Sequence, residues 1–212
     1  MISPVSALCA AGFAAALYAH RFWMPPCVLK EPERCRAFGR LSYFTVQTNI
    51  INFAYHTLRC LAPKHPLVGR LHPLAFATAS MLTVLYYSLD HWNAQKAAGD
   101  RKWIAKGYTR LPLGNHVEHG HALPLALLDA LCLPRAAASA SDVLWINGGY
   151  GAAYFAVMVL LGKRLNGEWI YPVLDDLEKG FGPAGPYLLA AAIIAISLLL
   201  GLADRSLAAG AA

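Results

Sequence analysis

Residues 115–131, NHVEHGHALPLALLDAL, place three histidines and a glutamate at the mouth of a segment that then turns apolar. Whether this stretch is a loop end or part of a membrane helix decides the fold. A hydrocarbon core about 30 Å thick needs roughly 20 helical residues to cross it. The apolar part alone, residues 121–133, is too short and spans only if its polar start from about Asn115 is included. Five other windows reach or approach that length unaided, at residues 4–19, 41–61, 71–89, 143–162 and 184–203. With residues 116–133 as the fourth in chain order, the expectation is one all-α integral membrane domain over residues 1–212, a bundle of six transmembrane helices. Helices are expected because backbone polar groups in lipid must be satisfied within each segment.

The composition agrees: 57% of the residues are hydrophobic and only 14% charged, with the apolar residues in long blocks. The first block, MISPVSALCAAGFAAALYAH, lacks a basic start and reads as a retained helix rather than a cleaved signal. A net charge of +6 often points to nucleic acid, but here the basic residues follow loop sidedness. Thirteen lysines and arginines fall in the first, third and fifth loops, against five on the opposite side. That bias assigns those three loops to the cytoplasm and both termini to the other side, with no nucleic-acid partner. The chain is therefore expected to be multi-pass in an endomembrane or the plasma membrane. Cys9, Cys60 and Cys132 sit in or beside apolar segments, while Cys27 and Cys35 share the first loop. No C-x-x-C occurs, and thiols in a cytoplasmic loop are expected to be reduced.

Polar residues inside the spans need a reason, since a central aspartate costs about 2.5–3.5 kcal/mol on the insertion scale. The second helix opens SYFTVQTNIINF, with Thr45, Gln47, Thr48, Asn49 and Asn52 in its first half. The third ends YYSLDHW, with Asp90 and His91 at its exit. Helices two and four run the same way and open where helix three ends, so Thr45, Asp90 and His119 are expected at one depth. His116 and His119 share a helical face, while Glu118 and His121 point elsewhere. A threonine hydroxyl needs an adjacent base to act as a nucleophile, and imidazole suits that role. Asp90 is a candidate to fix the imidazole tautomer, and Asn49 or Asn115 to donate to an oxyanion. The same residues admit plainer roles. A membrane threonine commonly bonds its own backbone, His116 and His121 fit an interface, and Trp169 and Tyr171 fit an aromatic belt. Asp129, about 15 Å deeper than His119, fits an interhelical hydrogen bond. Two other classes stay open: a histidine-ligated metal oxygenase suggested by HVEHGH, and a non-catalytic lipid-binding or transport protein.

Four blocks carry a resemblance. NHVEHGHALP with ALLDAL, RLNGEWIYPVLDDL, RLSYFTVQTN and YYSLD resemble the corresponding stretches of the androgen-induced-protein family of membrane hydrolases. That family includes the androgen-dependent regulator of tissue factor pathway inhibitor. The resemblance implies a six-helix fold and a threonine hydrolase of fatty acid esters of hydroxy fatty acids, with no cofactor. It puts the nucleophile on Thr45, with Thr48 on the same face as the alternative, and the histidine on His119. Asp90, Asn115, His116 and Asn49 are then the orienting and supporting candidates, with Trp169 and Tyr171 at the substrate entrance. The expected partners are a lipid ester and the bilayer.

Overall fold

The computed structural model describes residues 3–25 and 37–210, so the first-loop thiols Cys27 and Cys35 lie outside the described residues. The described chain is all-α. Its helices are α1 (Pro4–Phe22), α2 (Phe44–Leu61), α3 (Pro66–Asp90), α4 (Ala94–Ala105), α5 (Leu111–His119), α6 (Ala122–Cys132), α7 (Ala140–Asn166), α8 (Pro172–Phe181) and α9 (Ala184–Gly210). A 3-10 turn, Gly39–Ser42, leads into α2. Helices α1, α3, α5 and α8 each carry proline in the first turn, where the missing N–H would have had no partner anyway. The last turn of α3, Tyr86–Asp90, widens to a π-helix.

Four helices, α1, α3, α7 and α9, are long and apolar enough to cross a membrane. Of these α3 is the central one, with 78% of its apolar window buried against 17% for α7 and 22% for α9. Phe13 of α1, Phe76, Ala79 and Leu82 of α3, and Ala122 and Ala126 of α6 form the main apolar core. The outer helices instead expose Leu144, Trp145, Leu188 and Leu199, the surface a lipid-facing helix needs.

The windows expected at 41–61 and 116–133 are not among those four, and each has a physical reason. Helix α2 starts only at Phe44 and carries a polar face throughout. The stretch 116–133 is broken at Gly120–His121 into α5 and α6. Pro124 has no N–H for the Gly120 carbonyl and its ring crowds that carbonyl. Alongside, the Thr83 hydroxyl enters the gap, donating to the His119 carbonyl at 2.5 Å and accepting from the Leu123 N–H at 3.1 Å. The bond Leu123 would make to His119 in a continuous helix is thus routed through α3. The third loop also departs from expectation, since residues 94–105 form helix α4.

The polar face of α2 points inward. Thr48, Asn49, Asn52, His56 and Arg59 recur every three or four residues and are all buried, while Ile50, Phe53 and Leu61 face out. Asn52 donates to the Thr48 carbonyl and to the Thr78 hydroxyl. At the far end Asp129 of α6 accepts from Arg59 at 2.8 Å and from Tyr55 at 3.2 Å, and its carboxylate lies 2.9 Å from His72 Nε2. His72 Nδ1 lies 2.6 Å from Asp204 of α9, which also takes Arg135. Two carboxylates, two guanidiniums and an imidazole thereby tie α2, α3, α6 and α9 together.

Candidate functional site

Thr45 lies in the first turn of α2 and His119 at the end of α5, and the Thr45 hydroxyl stands 3.0 Å from His119 Nε2. The other ring nitrogen, Nδ1, lies 2.7 Å from the Asn115 backbone carbonyl. A carbonyl only accepts, so Nδ1 carries the proton and Nε2 presents its lone pair to the threonine O–H. The orientation is set by the helix itself, because the acceptor is the main-chain carbonyl four residues back. The ring is further held by Tyr86, stacked face to face at 4.0 Å with 14° between planes. His119 is only 9% exposed and Asn115 5%. This is the arrangement of a base and its orienting acceptor beside a hydroxyl.

The other expected residues fall around this pair in definite places. Asp90 is exposed at the end of α3, and the orienting position at Nδ1 is filled by the Asn115 carbonyl rather than by the Asp90 carboxylate. The Asn115 side chain turns away and donates to Asp100 of α4 at 3.1 Å, next to Lys96. Asn49 is buried and donates to the Glu118 carbonyl at 3.2 Å, bracing α2 against α5. The Thr48 hydroxyl is fully buried and, among the described residues, has no hydrogen-bond partner. His116 lies at the exposed rim, its Nδ1 2.9 Å from the Tyr87 hydroxyl. His121 packs on the Phe13 ring at 5.0 Å. The histidines of HVEHGH therefore diverge, and among the described residues no group of three or more His, Cys, Asp or Glu is placed to hold a metal ion.

Tyr171 braces the first turn of α2, and Trp169 is held against Glu178 of α8. The Tyr171 hydroxyl accepts the Phe44 N–H at 2.8 Å, one residue before Thr45. It lies 3.0 Å from the Tyr154 hydroxyl, which donates to the Ser42 carbonyl at 3.0 Å, so Tyr171 is the donor between the two phenols. Burial pushes the Tyr171 phenol up to about 12, so it keeps its proton across physiological pH. Trp169 is 5% exposed, with its indole N–H on Glu178 at 2.8 Å and Lys163 over its ring at 3.9 Å. With Phe44 engaged by Tyr171, the next amide along, that of Thr45, has no acceptor among the described residues. It stands at the positive end of α2 beside the nucleophile candidate.

Thr83, Tyr86 and Tyr154 were not legible as site residues in the sequence. Nothing marks a threonine in an apolar helix as a bridge across another helix's break. A second buried pair was also missed, Glu118 of the same motif with His20 Nδ1 at 2.6 Å.

A family model described as FAR-17a/AIG1-like protein matches residues 7–203. The chain belongs to this family, the androgen-induced protein family. No curated protein and no solved structure matches it. The matched range holds every element of the FAR-17a/AIG1-like fold described above from α2 to α8, including Thr45, His119 and Tyr171.

Proposed function

We propose that this chain is a membrane-embedded lipid esterase in which Thr45 is the nucleophile and His119 the general base. The observation that carries the reading is the 3.0 Å contact between the Thr45 hydroxyl and the Nε2 of an imidazole whose Nδ1 is held by a backbone carbonyl. His119 takes the Thr45 proton as the oxygen attacks the ester carbonyl. The Thr45 N–H, free at the start of α2, supports the oxyanion. The imidazolium, held by the Asn115 carbonyl and the Tyr86 face, then protonates the leaving alkoxide. Water, deprotonated by the same nitrogen, attacks the acyl-threonine and releases the fatty acid, which returns Thr45 and His119 to their starting states. The substrate class is the fatty acid ester of a hydroxy fatty acid, delivered from the bilayer.

The membrane arrangement belongs to the same reading. The polar-inside, apolar-outside pattern of α2 favours a fifth crossing, because polar groups in lipid face the bundle. The α5–α6 pair, its break closed by Thr83, makes the sixth. The test is release of free fatty acid from a hydroxy fatty acid ester by the purified chain in lipid nanodiscs. Wild type turns the ester over and folded His119→Ala does not. Equal turnover by the two would overturn the assignment.

A further inference from the structure

Away from Thr45, the end of α1 and the turn before α5 border an open surface pocket of about 480 Å³. Tyr18, Phe22 and Trp23 form one wall, and Lys106, Tyr108 and Arg110 stand on the other. The two walls differ in chemistry. Tyr18 and Phe22 are 54% and 62% exposed at the end of a helix apolar enough to cross a membrane, which places aromatic rings at headgroup depth. Lys106 and Arg110 make no ion pair among the described residues. They rest on indole faces, Lys106 at 4.9 Å from Trp103 and Arg110 at 5.5 Å from Trp23.

Basic residues and aromatics are common at any membrane interface, and each alone means little. Here two cations without a carboxylate partner among the described residues line one open pocket whose facing wall is aromatic. We propose that this pocket binds the phosphate of an anionic phospholipid, with Lys106 and Arg110 on the headgroup and the acyl chains along Tyr18 and Phe22. The loop charge count assigns this face to the cytoplasmic side, where anionic lipids gather.

The test is native mass spectrometry of the full chain titrated with phosphatidylglycerol, with phosphatidylcholine, and with inorganic phosphate alone. The variant is Lys106→Ala/Arg110→Ala. Arg101→Ala/Lys102→Ala serves as a control that removes the same charge from exposed residues of α4. Wild type retains phosphatidylglycerol and not phosphatidylcholine. The Lys106/Arg110 variant binds it on the order of tenfold more weakly, and the control binds like wild type. Equal weakening in both double variants would reduce the effect to bulk surface charge and overturn the site. Phosphate alone bound as tightly as the lipid would overturn the lipid assignment.

Discussion

At the scale of single residues, the account separates what a side chain does from what the backbone does. His119 is oriented by the Asn115 main chain, so Asn115→Ala keeps the Nδ1 acceptor and its turnover stays within about tenfold of wild type, as does that of Asp90→Asn. Loss on the scale of His119→Ala in either variant, read as kcat on a lipid ester, would show that a side chain and not the carbonyl holds the ring. Thr83→Val keeps the branched shape but strands the His119 carbonyl and the Leu123 N–H. It is expected to cost about 1–3 kcal/mol of stability and to lower kcat as the ring loosens, checked by thermal unfolding alongside turnover. The sequence placed Thr45 and His119 at one depth because helix direction and hydropathy determine depth. It left Asp90 as the orienting group because an acceptor supplied by the main chain has no signature in residue type. Thr48 shares a face with Thr45, and only rotation about the helix axis separates their surroundings.

At the scale of elements, the helix ends carry the site and the far cluster carries the packing. Tyr171→Phe removes the phenolic oxygen that accepts the Phe44 N–H and frees the first turn of α2. The expected loss is about 1 kcal/mol in stability with a larger fall in kcat than in binding, read as a split between kcat and KM. The Gly-x-Trp-x-Tyr-Pro block thus stood out in the sequence for a reason that sequence did not disclose. Amphipathic aromatics at a helix end look the same whether they shape an entrance or grip a neighbouring helix. Asp129→Ala leaves Arg59 buried without its carboxylate and His72 with Asp204 alone, and is expected to destabilise the bundle by about 3–5 kcal/mol, measured as a lower unfolding temperature in detergent. Unchanged stability would remove the cluster from the account of the fold. Asp129 was readable as an interhelical partner from its depth alone. His72 gave no such sign, because its meeting with Asp129 depends on how α3 faces α6.

At the scale of the whole molecule, four apolar helices make this a membrane protein of the FAR-17a/AIG1-like family, and the proposal of six crossings rests on α2 and α5–α6. Apolar length was legible for α1, α3, α7 and α9. The other two segments were harder because α2 carries its polarity inward and residues 116–133 break at Gly120–His121. Accessibility of cysteines introduced one at a time into α4 and into residues 134–139 tests the arrangement: six crossings put the two on opposite sides of the membrane. Labelling of both from the same side would contradict it. The central claim is that the whole chain is a threonine hydrolase, and the most direct measurement is fluorophosphonate labelling of membranes followed by mapping of the modified residue. The account predicts a phosphonylated Thr45 in wild type, labelling lost in Thr45→Ala and in folded His119→Ala, and labelling retained in Thr48→Ala. Label on Thr48, or undiminished label in Thr45→Ala, would contradict it.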